Sequence, residues 1–326
     1  MNIDITFEDA LERASAGLRE KMRHSVELLR KAERLAKFYD REDGFYLAFS
    51  GGKDSQALIH IAQLAGVQYR AHFSPTSVDP PPVIRFIRTH YPEVVFKKVE
   101  KSIYAVAVEK GILPTQNVRW CCKEFKESAG AGKVTLIGIR KAESTRRAKR
   151  NEVEIDSRKF SGTLEGLDEY RRKKRKSRGN PSVANPEALE SESVAGCISG
   201  KESLLVSPIL YWTEKDVWEF LNNVVKVPHC ELYDNGIRRI GCICCPMAST
   251  RQRRKEIVLY PHVKRRWIDA IMKIRMGGVF KEEPTCKSDH RNGAWIADAD
   301  PSRWGGYSLT TLTGPIPFRN VLRLTA

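Results

Sequence analysis

The N-terminal part of the chain places apolar side chains three and four residues apart between charged ones. Within residues 7–38 this spacing puts one set on a single stripe: Leu11, Leu18, Met22, Val26, Leu29 and Leu35. A period near 3.6 residues is typical of an amphipathic helix with one buried face. We therefore predict a helical N-terminal extension over residues 1–43. Packing over a sheet or against a second subunit explains its apolar face better than a catalytic role.

From residue 44 onwards, short apolar runs alternate with segments of helical spacing. The predicted strands are residues 44–49, 68–73, 94–99 and 133–139, and ordered structure is predicted to return at residues 203–210. The predicted helices include residues 53–64, 81–90 and 213–221. Thr213 and Asp216 form a capping-box pattern at the start of the last helix. Alternating strands and helices predict an α/β fold with a doubly wound, mainly parallel sheet over residues 44–225.

Regular patterning fails between residues 151 and 200, where the composition becomes polar and residues 171–176 are all basic. We predict a basic, flexible insertion there, which is either a solvated charge run or an arm that lies along a phosphate backbone. Residues 226–326 are predicted to form a cysteine-rich and basic C-terminal region. The segment after Trp304 is β-prone and fits an edge strand or a disordered tail.

Length and composition fit a globular protein with one large α/β domain and a smaller unit. The chain has 326 residues, of which 41% are hydrophobic, and no run approaches eighteen apolar residues. Acidic residues occupy the N-terminus, where a signal peptide would need a basic stretch and then an apolar one: Asp4, Glu8, Asp9 and Glu12. We therefore expect a cytoplasmic protein without a membrane span.

The net charge of +16 arises from 56 Lys and Arg against 40 Asp and Glu. This excess favours a polyanionic partner such as DNA or another nucleic acid, although a basic solvated surface gives the same composition. A basic helical stretch supplies the candidate backbone contacts Arg251, Arg253, Arg254, Lys264, Arg265 and Arg266.

A glycine turn joins the first predicted strand to the first predicted helix of the sheet. Its sequence is Ser50-Gly51-Gly52-Lys53-Asp54-Ser55. Glycines let backbone N–H groups and the positive end of a helix approach one anion, and the hydroxyls and the lysine add donors. The spacing excludes a Walker A loop and a G-x-G-x-x-G turn. We predict a phosphate or pyrophosphate site.

Two further strand ends carry candidate ligand contacts. Thr76 and Asp79 follow the second strand, where Asp79 equally fits a helix cap. Arg140 and Arg147 follow the strand at residues 133–139, and guanidinium groups form paired hydrogen bonds to anionic oxygens. A basic surface helix is the alternative for the two arginines.

Eight cysteines suggest a metal or redox role, because reducing compartments disfavour structural disulfides. Cys242 and Cys245 have the C-x-x-C spacing that grips one metal or one edge of an iron–sulfur cluster. Structural zinc is an alternative, with two more ligands from Cys121, Cys122, Cys230 or His229, and a set of reactive thiols is another. Cys197 and Cys286 stand alone.

Four motifs carry a resemblance to known families. The S-G-G-K-D-S string resembles the PP-loop of N-type ATP pyrophosphatases, and residues 138–147 match the G-x-R-x-x-E-S-x-x-R pattern of sulfonucleotide reductases, with Glu143 and Ser144 in place. Residues 208–218 and 232–245 resemble further reductase segments. The chain is thus similar to the phosphoadenosine phosphosulfate (PAPS) reductase family, and most like the DndC/SspD-type sulfurtransferases of DNA phosphorothioation.

The resemblance implies an adenine nucleotide alpha hydrolase-like fold that uses ATP and Mg²⁺ to adenylate a substrate, with sulfur from a donor such as a cysteine desulfurase. It implies nucleotide contacts from Ser50, Gly51, Gly52, Lys53, Asp54, Ser55, Arg140 and Arg147. Among these, Lys53, Asp54 and Arg140 take catalytic roles. It also implies a [4Fe–4S] cluster on Cys121, Cys122, Cys242 and Cys245, with Cys230 as a possible substitute.

One departure from the family separates the possible functions. Sulfonucleotide reductases carry a late nucleophilic cysteine in E-C-G-x-H, whereas Cys286 lies in P-T-C-K-S-D-H, without the glutamate or the glycine. We therefore expect adenylation of a DNA backbone phosphate rather than reduction of a sulfonucleotide. A nucleotide-binding adaptor for nucleic acid without catalysis is the third hypothesis.

Overall fold

The structure is a computed structural model that describes residues 3–127, 130–155, 182–183 and 203–276. These residues form two compact units. The first unit comprises Met1–Pro75, Pro81–Lys98 and Phe125–Ile240, and the second comprises Thr76–Pro80, Val99–Glu124 and Gly241–Ala326. Most of the predicted insertion lies outside the described residues, and so do the tail after Trp304, Cys197 and Cys286.

Two helices form the N-terminal extension, α1 (Phe7–Arg13) and α2 (Ala16–Tyr39). Helix α1 begins with a capping box, in which Thr6 and Asp9 each accept the other's backbone N–H. The apolar stripe of α2 is buried and contacts helix α3 (Lys53–Ala65) and the central strands of the sheet. The predicted helical extension is confirmed, and its apolar face covers the sheet.

The first unit contains a seven-stranded sheet with the strand order β3-β2-β1-β4-β7-β5-β6. Parallel pairs join its first five strands, which are β3 (Val95–Phe96), β2 (Tyr69–Phe73), β1 (Phe45–Phe49), β4 (Val134–Leu136) and β7 (Leu204–Val206). The register sets Phe45 opposite Tyr69 and Val134 opposite Leu204. The predicted α/β fold with a mainly parallel sheet is therefore confirmed.

An antiparallel edge completes the sheet. Strand β5 (Val153–Ile155) pairs with β7 on one side and with β6 (Ser182–Val183) on the other. No strand is predicted from the sequence over residues 153–155, because three residues are too few to show an alternating pattern. The edge begins where the insertion was predicted, so part of that segment belongs to the sheet.

The remaining helices include the two that were predicted over residues 81–90 and 213–221. In the first unit they are α4 (Pro81–His90) and α7 (Glu214–Glu219), which a π-helical turn over Phe220–Val224 extends. The second unit contains α5 (Ile103–Lys110), α6 (Trp120–Cys122), α8 (Thr250–Leu259) and α9 (Pro261–Met276). The predicted capping box of α7 is confirmed, since the Thr213 N–H donates to the Asp216 carboxylate and the Asp216 N–H donates to the Thr213 hydroxyl.

The order of the parallel strands reverses at β1. Strands β2 and β3 continue the sheet on one side of β1, and β4 and β7 continue it on the other. In sheets of this kind, ligands bind beyond the carboxyl end of the strands at the point of reversal. The turn that follows Phe49 lies at this point. No helix among the described residues is long and apolar enough to cross a membrane.

Candidate functional site

The turn between β1 and α3 needs glycine at Gly51. Its φ is +72°, and a Cβ there would lie 2.9 Å from a side-chain carbon of Ile87 and 3.0 Å from one of Val83. A side chain would therefore be both strained and crowded. The absence of side chains at Gly51 and Gly52 would let the loop backbone come close to an anion at the positive end of α3, where an anion binds best.

The two serines of the loop serve mainly to order it. The buried Ser55 hydroxyl donates to the carbonyl of Gly52 at 2.8 Å and accepts the Ser50 N–H at 3.2 Å. The exposed Ser50 hydroxyl lies 3.1 Å from that of Ser55. Ser55, predicted as a pyrophosphate ligand, is thus committed to the turn, while Ser50 remains at the surface.

Lys53 is buried, with 3% of its surface exposed, although it carries a charge. Its ammonium donates to the carbonyl of Arg238 at 3.0 Å and lies 3.4 Å from the carboxylate of Glu214. A buried cation needs such compensation.

Tyr233 covers the first N–H of α3. Its hydroxyl accepts the Lys53 N–H at 2.7 Å, its ring lies 5.4 Å from the Lys53 ammonium, and Trp218 packs against it edge-on. Burial raises the pKa of Tyr233, which therefore stays protonated. Tyr233 lies in a segment that resembles the reductase family, but no role is predicted for it from the sequence, and no local pattern marks Glu214.

A buried ion pair joins the loop to the segment after β4. Arg140, 4% exposed, donates through Nε to Asp54 Oδ1 at 2.6 Å. A Cβ on Gly138 would lie 2.9 Å from the Asp54 carbonyl, so the two backbones are in close contact. Asp54 therefore holds the loop against the segment after β4, and Arg140 presents a fixed guanidinium there.

Arg147 belongs to the same network through Glu143. The Glu143 carboxylate accepts the Arg140 N–H at 3.0 Å and forms an ion pair with the Arg147 guanidinium. Arg239 lies 3.9 Å from the same carboxylate. Burial lowers the pKa of Arg147, and Glu143 opposes that shift. The structure thus brings both predicted arginines into one network with the loop, while the exposed Ser144 only caps the Arg147 N–H.

The second unit brings together the four cysteines that were predicted as ligands. The hydrogen bond with Cys122 raises the pKa of the Cys121 thiol, and burial and the neighbouring Cys242 and Cys245 raise it further. Arg119 donates to Cys122 Sγ at 3.5 Å, and Thr76 Oγ1 lies 3.4 Å from Cys242 Sγ. Four sulfurs with polar neighbours have the chemistry of a thiolate-ligated centre.

Single-ion coordination is a different matter. Among the described residues, no group of three His, Cys, Asp or Glu side chains is arranged to hold a metal ion. The predicted iron–sulfur cluster and its alternative, a structural zinc, therefore both stay predictions from the sequence.

Two other cysteines have structural positions. Cys230 is fully buried in the hydrophobic core of the first unit, so its prediction as a substitute ligand has no support there. Cys244 lies between the paired cysteines with φ +57°, and its N–H donates to Glu256 at 2.6 Å. Burial raises the pKa of Cys244 to about 12, which keeps it a thiol.

Some of the other predicted ligand contacts bond to protein groups, and others are exposed. Thr76 and Asp79 bond to each other, since the Asp79 carboxylate accepts the Thr76 hydroxyl at 2.9 Å. Arg253 is buried and donates to Thr250, and Arg266 lies over the ring of Tyr104, so both serve packing in the second unit. The side chains of Arg251, Arg254 and Arg265 are exposed, and that of Lys264 is half-buried.

Comparison with known proteins identifies the family. Residues 44–248, more than half of the chain, match the phosphoadenosine phosphosulfate reductase domain. The chain therefore belongs to this family, and membership supports an enzyme that uses an adenine nucleotide. The match includes the glycine loop, the Arg140 network and all four clustered cysteines.

Individual relatives are more distant. Two uncharacterized proteins of Methanocaldococcus jannaschii are similar to this chain. One is 26% identical, and the match covers 81% of this chain and 56% of that protein. The other is 24% identical, and the match covers 68% of this chain and 40% of that protein. The chain thus spans about half the length of these relatives. Adenosine 5′-phosphosulfate reductase of Oceanobacillus iheyensis is 46% identical over 44 residues, 14% of this chain and 18% of that enzyme. Candida glabrata FMN adenylyltransferase aligns with a TM-score of 0.42 and 15% identity over 73% of this chain and 67% of its own.

The crowding at Gly51 gives a test of the loop. Gly51→Ala should weaken the binding of inorganic pyrophosphate by more than about tenfold, because the displaced loop loses charge-assisted hydrogen bonds. Gly66→Ala is the matched control, since Gly66 also has a positive φ of +70° but has nothing within 4 Å of an added Cβ. Calorimetric titration measures both. Equal affinity in the two variants would contradict the proposed close approach.

The Asp54–Arg140 pair should be coupled more strongly than an exposed pair. A double-mutant cycle of Asp54→Ala and Arg140→Ala should give about 1–3 kcal/mol of coupling in urea unfolding. The same cycle on Asp43 and Arg70, whose atoms are 2.9 Å apart but more exposed, should give about 0.2–1 kcal/mol. Equal coupling in the two cycles would show that burial adds nothing to the pair at the loop.

Proposed function

We propose that this chain is an ATP pyrophosphatase that adenylates a backbone phosphate of DNA and so activates it for sulfur incorporation in DNA phosphorothioation. The observation that carries the proposal is the glycine loop at the reversal point of the sheet, with buried Lys53 and Arg140 beside it. Two buried cations beside the positive end of α3 suit an anionic pyrophosphate better than a neutral ligand.

The nucleotide would be held by its β- and γ-phosphates. Lys53 would exchange the Arg238 carbonyl and Glu214 for phosphate oxygens, and Tyr233 would release the first N–H of α3 or donate its own proton beside it. Arg140, held by Asp54, would stabilise the charge that develops on the leaving pyrophosphate. Mg²⁺ would be carried in by the nucleotide and would neutralise further charge on its oxygens.

Adenylation is a displacement at the α-phosphorus of ATP. A non-bridging oxygen of the DNA phosphate forms the new P–O bond as the bond to the β-phosphate oxygen breaks, and pyrophosphate leaves. The activated DNA phosphate is then attacked by sulfur. When a donor such as a cysteine desulfurase system delivers that sulfur as hydrosulfide, AMP leaves with the oxygen, one P–S bond replaces one P–O bond, and no electrons are exchanged.

Cys121, Cys122, Cys242 and Cys245 would hold a [4Fe–4S] cluster in the second unit. When bound, such a cluster would supply electron transfer or a site for sulfur. The chain's own contribution is the tight turn that carries two of these residues, in which the Cys245 N–H donates to the Cys242 carbonyl at 3.2 Å. Glu256 fixes the middle of that turn through the Cys244 N–H.

A sulfonucleotide reductase is the second candidate, and one observation favours it. The matched segment of the Oceanobacillus iheyensis enzyme is 46% identical, although it covers only 44 residues. In that reaction the loop would hold a phosphate of the sulfonucleotide, and Cys286 would attack its sulfur. The altered residues around Cys286 argue against this role.

Product analysis separates the two candidates. Protein supplied with ATP, Mg²⁺ and DNA should form AMP and pyrophosphate, and protein supplied with a sulfonucleotide and thioredoxin should form no sulfite. Lys53→Ala should lower kcat/KM for ATP by about 100-fold, because a preorganised charge is lost. Lys37→Ala is the control, since Lys37 is exposed on α2. Sulfite without AMP would establish the reductase instead.

Metal analysis tests the cluster. Anaerobically purified protein should contain about four irons and four sulfides, and Cys242→Ser should lose them with the visible absorption band. Cys244→Ala should retain both, because the buried Cys244 thiol faces the Arg253 carbonyl rather than the other sulfurs. Stoichiometric zinc in the wild type would contradict the cluster, as would equal iron in Cys242→Ser.

A further inference from the structure

The N-terminal helices contain a basic groove that none of the chemistry above uses. It lies along α1 and α2 in the first unit and has a volume of about 630 Å³. Three arginines of α2 line it, Arg23, Arg30 and Arg34, with Phe7 and Val26 as its apolar part. An aromatic and a valine beside three guanidinium groups form a surface of mixed character.

The three arginines form a straight row on α2. Arg30 and Arg34 follow Arg23 by seven and eleven residues, which are close to two and three helical turns. At about 1.5 Å per residue, the row from Arg23 to Arg34 is about 16 Å long. A single phosphate therefore meets only one end of it, whereas about five phosphates of one DNA strand span that length.

These arginines are largely unneutralised by the protein. Over the ranges that the structure describes, Arg23 and Arg34 form no ion pair or side-chain hydrogen bond, and both are exposed. The only acidic residue lining the groove, Glu27, is already paired with Lys31 at 2.8 Å. Arg30 and Arg34 are one turn apart, and like charges at that spacing repel each other, so an anion that pairs with both would stabilise the helix.

Two arginines of α2 donate hydrogen bonds to backbone carbonyls of the protein. Arg19 donates to the carbonyls of Leu11 and Ala14 and so ties α1 to α2. Within the groove, Arg30 donates through Nε to the Ala65 carbonyl at 3.1 Å, which fixes its guanidinium. The row thus has one anchored arginine in its middle region and an exposed one at each end.

We propose that this groove binds the sugar–phosphate backbone of DNA along the row Arg23–Arg30–Arg34. The proposal rests on the proposed function for the identity of the polyanion and adds the site where the chain grips it. Guanidinium groups pair with phosphate oxygens through two hydrogen bonds each, and such contacts position DNA without reading its sequence.

The test is fluorescence anisotropy of labelled single-stranded and duplex DNA with the full chain over a range of salt concentrations. Arg23→Gln with Arg34→Gln should make the slope of log K against log salt shallower by about 1.5 and lower the affinity about tenfold. The control pair is Arg41→Gln with Lys98→Gln, which removes the same charge from exposed positions of the same unit. It should change the slope by less than about 0.5.

Several outcomes would overturn the proposal. One is an equal slope of log K against log salt in the two double variants. Another is wild-type protein that binds neither single-stranded nor duplex DNA. A third is tighter binding of transfer RNA than of DNA, with the same dependence on Arg23 and Arg34. Unchanged pyrophosphate affinity in the variant Arg23→Gln with Arg34→Gln shows that the fold is intact.

The same measurements separate the two proposals. If this variant loses DNA affinity but ATP is never cleaved, only the adenylation proposal fails. If DNA stimulates ATP cleavage yet both variants bind DNA equally, only the groove proposal fails.

Discussion

The candidate site depends on close packing around the glycine loop at the start of α3. Gly51 leaves no room for a side chain beside Val83 and Ile87, and Gly138 brings the end of β4 against the Asp54 carbonyl. The Asp54–Arg140 pair then locks this contact through charge. Because β1 and β4 flank the reversal point of the sheet, the fold delivers both the loop and its arginine to one place without long connections.

The charges at this place are balanced but not strongly paired. Lys53 is satisfied by a backbone carbonyl and by Glu214, whose side chain is 57% exposed, rather than by a tight buried carboxylate. Such partners keep a buried cation stable, and under the proposed function phosphate oxygens would replace them. Tyr233 has the same relation to the backbone, because its hydroxyl accepts the Lys53 N–H. Under the proposed function, the protein thus neutralises the anion site before the nucleotide binds.

Local sequence rules anticipated much of the fold and the local parts of the site. The strand, glycine turn and helix around Gly51, the capping box at Thr213 and the C-x-x-C pair all depend on residues a few positions apart, where spacing decides geometry. The contacts of Tyr233 and Glu214 with Lys53 were not predicted. These two residues lie about 160 to 180 positions away from Lys53 in the chain, and no local pattern indicates such contacts. The core position of Cys230 was not anticipated either, since a thiol near a cysteine motif can equally belong to the hydrophobic core. Strand β5 was too short to show a period.

The most direct measurement of the central claim is residue-resolved amide hydrogen exchange with and without ATP and Mg²⁺. If the glycine loop holds the phosphates, exchange at Gly51, Gly52 and Ser55 should slow at saturating ATP, while the exposed turn at Gly236 should exchange as before. If ATP binds but these amides exchange at their original rates, the nucleotide lies elsewhere and the loop is only a turn between a strand and a helix.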